Sequence, residues 1–194
     1  MPIPLRRAFA LLVALIPLVF LAACGPSNSV RLMYTPSGAA VLPKPGAPRV
    51  TVVMFDDKRP RQAIGERQDG SSFMANALVS DWVSRALGEE LARLGEQVSY
   101  ASIMMQARTA NPPYIASGVV NEIWIRENGP TSLAATVRLT VTLSTPDKVI
   151  YSESLSSTQE RRGLPSASGV ESLVADTLRD VLVVAAGKMA EKMR

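Results

Sequence analysis

The sequence predicts an α/β fold of the α+β sandwich kind, a mixed, mostly antiparallel sheet with two long helices packed on one face. Three features carry that expectation. Leu133, Ala135, Val137, Leu139, Val141 and Leu143 alternate with Ser132, Ala134, Thr136, Arg138, Thr140 and Thr142, the period-two pattern of a strand with one dry face and one wet face. Residues 75–94 and 168–185 instead carry apolar residues at three- and four-residue spacing, as amphipathic helices do. The elements follow one another without internal repeat, and a sheet with one apolar face needs helices to cover it.

The chain begins with the parts of a secretory signal over residues 1–23: a charged start with Arg6 and Arg7, an apolar run from Ala8, and a small-residue ending. The run reaches 16 residues and is interrupted by Pro17, short of the roughly 20 residues a membrane-spanning helix needs. Its last four residues, Leu21-Ala22-Ala23-Cys24, resemble the lipobox of bacterial lipoproteins. The resemblance implies cleavage before Cys24, a diacylglyceryl group on its thiol, acylation of the new amino group, and a lipidated tether over residues 24–29. Each buried CH₂ of such chains contributes about 0.8 kcal/mol, so two or three chains hold a protein firmly on a membrane. Position 25 is Gly rather than Asp, which by the enterobacterial sorting pattern favours the outer membrane, facing the periplasm, with the inner membrane as the alternative.

Removing 23 of 194 residues leaves 171, with residues 30–194 read as a single globular domain. Residues 30–34 look like a short strand, after which Pro36, Pro43, Pro45, Gly46 and Pro48 predict a linker or crossing loop. Val50, Val52, Val53 and Phe55 mark a central strand covered on both faces. Residues 56–72 form a 17-residue connection with no apolar periodicity, a length that in compact domains is uncommon and often functional. The helix over 75–94 places Val79, Trp82, Val83, Ala86, Leu87, Leu91 and Leu94 on one stripe, and Gly95 follows where a C-cap prefers glycine. Gly88, which costs about 1 kcal/mol against Ala in mid-helix, is read as a point of close approach to the sheet. A strand begins at Val98. Residues 115–127, 133–143 and 149–157 then make a three-stranded meander, joined through Asn128-Gly129-Pro130 and Thr145-Pro146-Asp147. The last helix carries Val170, Leu173, Val174, Leu178, Val181, Leu182 and Ala185 on one face, with Ser168 as its N-cap. Core packing is expected for both Trp82 and Trp124, and core filling for Met104 and Met105.

Composition narrows the chemistry. There is no histidine, which removes the commonest neutral-pH acid/base and metal ligand. Cys24 is the single cysteine, so no internal disulfide is expected. No nucleophile-elbow, P-loop or dinucleotide fingerprint occurs, and no cofactor or metal is expected. The adjacent carboxylates Asp56-Asp57 and Glu89-Glu90 point apart on a strand or a helix, so neither pair is expected to be catalytic. Once Arg6 and Arg7 leave with the signal, 19 basic residues face 17 acidic ones, a balance that predicts no nucleic-acid partner.

Within residues 56–72 the bases Lys58, Arg59, Arg61 and Arg67 are matched by Asp56, Asp57, Glu66 and Asp69. This stretch reads either as a solvated, self-paired loop or as a contact loop for a partner or for anionic headgroups. Arg59 and Arg61, flanking Pro60, are the preferred contacts, because guanidinium groups on a stiff turn suit carboxylate and phosphate oxygens.

The lipobox, the valine-rich strand running into Asp56-Asp57-Lys58-Arg59-Pro60, then Ile64-Gly65, and the Trp82 helix ending in Leu94-Gly95 together resemble the YajG-like family of small bacterial envelope lipoproteins. A looser similarity, in size and element order, is to auxiliary lipoproteins of lipid-transport ABC systems. The first resemblance implies a non-enzymatic interaction or accessory module of the envelope. It would be anchored in membrane lipid through acylated Cys24 and serve an envelope protein partner. The second implies a lipid- or glycan-binding component of a transport machine, with an apolar groove between helices and sheet. Cys24→Ala should abolish labelling of the protein by radiolabelled palmitate in growing cells; continued labelling of that variant would refute the anchor.

Overall fold

The computed structural model describes residues 28–39, 41–43 and 45–194; the export signal, Cys24 and most of the tether lie outside the described residues. In chain order the elements begin with strands β1 (Ser29–Val30), β2 (Arg49–Val53), β3 (Asp56–Asp57), β4 (Gly65–Glu66) and β5 (Ser72–Ala75). Helix α1 (Val79–Arg93), strand β6 (Gln97–Ala101) and helix α2 (Met104–Thr109) follow. Strands β7 (Tyr114–Gly129), β8 (Ser132–Ser144) and β9 (Val149–Arg162) and helix α3 (Ala167–Met193) complete the chain.

Strand β7 is the axis of the sheet. One of its edges pairs antiparallel with β8 along nearly its whole length, and β8 pairs antiparallel with β9. The other edge is occupied in succession by β2, β3 and β4, all parallel to it. Strand β6 lies beyond β2, β5 pairs antiparallel with β4, and β1 pairs parallel with β5. The sheet is therefore mixed, antiparallel in its two longest ladders. Residues 56–72, read from sequence as an aperiodic connection, are instead an interrupted strand: Asp56 and Asp57 pair with Val119 and Val120, and Gly65 and Glu66 with Ile125 and Arg126. Two-residue ladders leave no periodicity to detect. The first strand is also shorter than expected, ending at Val30.

The alternation in β8 places the odd-numbered residues inside, with Val137, Leu139, Val141 and Leu143 fully buried. Helices α1 and α3 pack together on that face, contributing Leu87, Leu91, Leu178, Leu182 and Met189 to one continuous core. The short α2, which has no counterpart in the sequence reading, seals a second cluster with Ala107 against Val53, Ala101 and Ile115. Val52 and Val53 belong to different clusters, and successive strand residues face opposite ways, so α2 covers the other face of the sheet at this end. Met104 packs there while Met105 is exposed. Trp82 is core. Gly88 accommodates the ring of Tyr100, whose hydroxyl occupies the space a Cβ would need and donates to the Arg85 carbonyl at 3.2 Å. The N-cap of α3 is Ser166, whose Oγ accepts from the Gly169 N–H at 3.1 Å, rather than Ser168. An N-cap side chain reaches the amide three residues on, and here that residue is a glycine.

One buried ion organises the N-terminal segment. Glu90 on α1 is fully buried. It accepts hydrogen bonds from the Tyr34 hydroxyl (2.8 Å), the Ser37 N–H (3.1 Å) and Arg93 Nε (2.7 Å), so the chain after β1 is stapled to the helix. Burial pushes the Glu90 carboxyl up, but the hydrogen bonds from Arg93, Tyr34 and Ser37 outweigh it and hold the group below its ordinary range. The same contact, together with burial, pushes the Tyr34 phenol far up.

Two outcomes follow from this packing. Leu139→Asp, which buries an unpaired charge, should unfold the domain, whereas Thr142→Asp on the wet face should change stability by about 1 kcal/mol or less in urea titrations. Equal effects would contradict the register. Because the Glu90 carboxyl is depressed in the fold, its contribution is complete above the ordinary glutamate value of about 4.3 and is lost as pH falls through the depressed value. Glu90→Gln should therefore cost about 1–3 kcal/mol near neutral pH, and the gap to wild type should close on acidification; a gap that is the same at every pH would refute the assignment.

Candidate functional site

The outer face of β7 is shaped by one extra residue. Val120 lies opposite Leu139 and Glu122 opposite Arg138, so Asn121 is a β-bulge. Thr140 donates its hydroxyl proton to Asn121 Oδ1 at 2.9 Å. Because side chains alternate with period two, a single inserted residue exchanges the faces. Ala116 and Val120 face the core before the bulge, and Ile123 and Ile125 face it afterwards. Glu122, Trp124 and Arg126 consequently stand on the outer face. Trp124, expected in the core, is there only half-buried.

Facing this row runs the segment between β3 and β4. Together they enclose an open groove of about 620 Å³, bordered by Arg59, Pro60, Arg61, Ala63 and Glu66 on one side and by residues of β7, with Arg138 of β8, on the other. Arg61 lies over the Trp124 indole, its guanidinium carbon 5.2 Å from the ring centroid. Arg138 Nη2 is 3.3 Å from Glu122 Oε2. Arg126 is exposed, stands opposite Glu66 in the β4–β7 register, and like Arg61 has no carboxylate partner among the described residues.

Arg59 is built differently. Its side chain is only 8% exposed, and Asp57 holds it with both carboxylate oxygens, at 2.9 Å from Nε and 2.7 Å from Nη2. That hydrogen bonding keeps the Asp57 carboxyl below the ordinary range against the opposing effect of burial. The remaining Nη1 is buried with no acceptor among the described residues. A charged donor left unmatched in this way is costly.

Of the four bases singled out in the sequence, Arg59 and Arg61 border the groove. Arg67 borders no part of it, lying 3.1 Å from Glu127 Oε1 and stacked 4.5 Å from the centre of the Phe73 ring. Lys58 is exposed and borders no part of the groove; its N–H donates to the Val120 carbonyl at 3.0 Å. The self-paired loop expected from matched charges is realised at Asp57–Arg59, whereas Arg67 pairs with Glu127 of β7. Arg126 and Arg138 were not legible as site residues, because their presence in the groove depends on the bulge and on pairing between strands distant in sequence. Among the described residues no cluster of metal-ligating side chains occurs, and no helix is long and apolar enough to cross a membrane.

What the groove offers is a set of guanidinium donors beside an indole. Arg presents parallel N–H pairs that match the oxygens of a carboxylate or phosphate.

No protein-family model matches the chain, and no curated protein matches it. Solved structures do. A Xanthomonas campestris protein of the DUF330 family superposes with a TM-score of 0.59 at 16% identity, covering 86% of this chain and 96% of that one. A Helicobacter pylori protein described as a homologue of a neuraminyllactose-binding hemagglutinin gives 0.51 at 11% identity, covering 82% and 96%. At these identities the likeness is one of fold: the chain shares its mixed sheet with helices packed upon it with these bacterial proteins.

Proposed function

We propose that this chain is a non-enzymatic accessory protein of the bacterial cell envelope, held on the membrane by acylated Cys24, that recognises an anionic group of an envelope partner in the arginine-bordered groove. The observation that carries the reading is that Arg61 and Arg126 border the groove from opposite sides, both exposed and without a carboxylate partner among the described residues, with the buried Arg59 guanidinium beside them. Such an arrangement gains most from an oxyanion that arrives from outside. The lipobox and the likeness to YajG-like lipoproteins support the envelope and, with Gly25, the periplasmic face of the outer membrane.

The competing reading, a transport component with an apolar ligand between helices and sheet, is less well supported. That layer is filled by fully buried side chains such as Leu87, Leu139 and Leu182. The groove lies on the opposite face and is lined by charge.

Ala63 borders the groove without contributing charge, so a photo-crosslinking amino acid placed there samples whatever occupies it. In intact cells, adducts identified by mass spectrometry should form from position 63 and not from Ser154. They should largely disappear in Arg61→Ala/Arg126→Ala, whose stability stays within about 1 kcal/mol of wild type because both residues are exposed and the contact of Arg61 with Trp124 is weak. Adducts that persist unchanged in the double variant would refute the groove as the recognition surface.

A further inference from the structure

We infer that the groove seats the phosphodiester of an anionic membrane-lipid headgroup. This deepens the reading above and rests on it, both for the anion and for the anchor at Cys24.

The first argument is the donor set. Arg61 and Arg126, both exposed, come from opposite sides of the groove. Donors converging from separate elements fit a tetrahedral group with several accepting oxygens better than they fit one planar carboxylate. The second argument is charge. Four arginines border the groove, but so do Glu66 and Glu122. Glu66 stands opposite Arg126, and Glu122 is 3.3 Å from Arg138. Two carboxylates in the wall repel a polyanion and leave a small positive excess, which suits a group of single charge such as a phosphodiester.

The third argument is placement. Strand β1 runs parallel to β5, with Ser29 opposite Met74, β5 runs antiparallel to β4, and β4 runs parallel to β7. The N-terminal end of β1 therefore points toward the Arg126 end of β7. Three strand spacings, about 14 Å, separate β1 from β7. Cys24 precedes Ser29 by five residues, a reach of at most about 17 Å. An anchor at Cys24 thus keeps the Arg126 end of the groove close to the headgroup layer. Trp124, with its half-buried indole beside the arginines, is the residue type that favours that layer.

The test uses the full acylated chain in neutral maltoside micelles and reads tryptophan emission. Trp124 lies under Arg61, and Trp82 is buried in the core, so a ligand that draws Arg61 away alters one indole only. Titration with glycerophosphoglycerol, a headgroup diester without tails, should give a saturable change. The change should be absent in Trp124→Phe and should require about tenfold more ligand in Arg126→Gln, which keeps the Arg61–Trp124 contact that reports binding. Inorganic phosphate and N-acetylneuraminate should bind more weakly than the diester. In phosphatidylcholine vesicles, adding phosphatidylglycerol should reproduce the change with no added headgroup.

A flat titration, an unaltered midpoint in Arg126→Gln, or tighter binding of phosphate or neuraminate would overturn the lipid assignment. Such a failure, with adducts from position 63 still dependent on Arg61 and Arg126, would leave the accessory reading standing. Adducts indifferent to both arginines would remove that reading as well.

Discussion

The fold depends on the pairing capacity of β7. Sixteen residues long, it offers one edge to a single long partner and divides the other among three short ones. A short strand gains little stability alone, since each ordered residue costs about 1–2 kcal/mol of backbone entropy. The pairs Asp56–Asp57 and Gly65–Glu66 are held because β7 is already fixed by β8. Between these two anchor points the chain arches away and back, and the arch forms one wall of the groove. The bulge at Asn121 completes the arrangement. It turns Trp124 outward beneath the arch and keeps Ile123 and Ile125 in the core, so the same residue that corrects the core pattern creates the second wall.

Two buried ions, Glu90 and Arg59, are matched to different degrees. Glu90 is surrounded by donors from three partners and is the fixed point that holds the chain after β1. Similar logic operates at the sheet edge, where Lys188 reaches Glu153 at 2.7 Å and Arg161 reaches Asp176 at 2.8 Å, tying β9 to α3. Those charges on the inward side of an edge strand also discourage pairing with another chain. Arg59 is less completely matched: Asp57 satisfies two of its nitrogens, and the third has no acceptor among the described residues, as is also true of Glu96 Oε2 away from the groove. Local stability would be better served by a fully matched guanidinium or an apolar side chain, so the deficiency is a cost borne at the groove.

The elements that were legible in the sequence are those whose burial repeats over many residues. The odd-numbered face of β8, the stripe on α1 from Val79 to Leu91 and that on α3 all extend for ten residues or more, and the covering of one sheet face by two helices follows from them. What was not legible depends on single residues or on distant pairing. Asn121 carries no sequence mark that distinguishes a bulge from an ordinary wet-face position, so Trp124 was placed inside. Ladders of two residues have no period, so residues 56–72 read as a loop, and α2, six residues long, falls below any helical repeat. Arg59 and Arg61 could be picked out because Pro60 stiffens the turn between them. Arg126 and Arg138 could not, because a strand arginine on a wet face is ordinary until a second segment is known to face it.

The absence of histidine bears on what kind of recognition this fold can support. A site built on imidazole would change charge within the pH range a cell envelope encounters. Guanidinium groups stay charged throughout it, so the cationic side of the groove is constant. Release of a bound anion therefore has to come from competition, from salt or from movement of the arch, rather than from protonation of the cations. The arch is suited to such movement, because its contacts to β7 are confined to the short ladders at Asp56–Asp57 and Gly65–Glu66 and to a few side chains. Arg61 is among those side chains. Its stacking on Trp124 covers the indole with a group that solvent or a ligand can draw away, at a cost of only about 0.5–1 kcal/mol at an exposed site. Arg61 is thereby held on Trp124 by a weak contact above a strongly fixed floor, so an oxyanion in the groove can draw it away by exchanging a cation–π contact for charge-assisted hydrogen bonds.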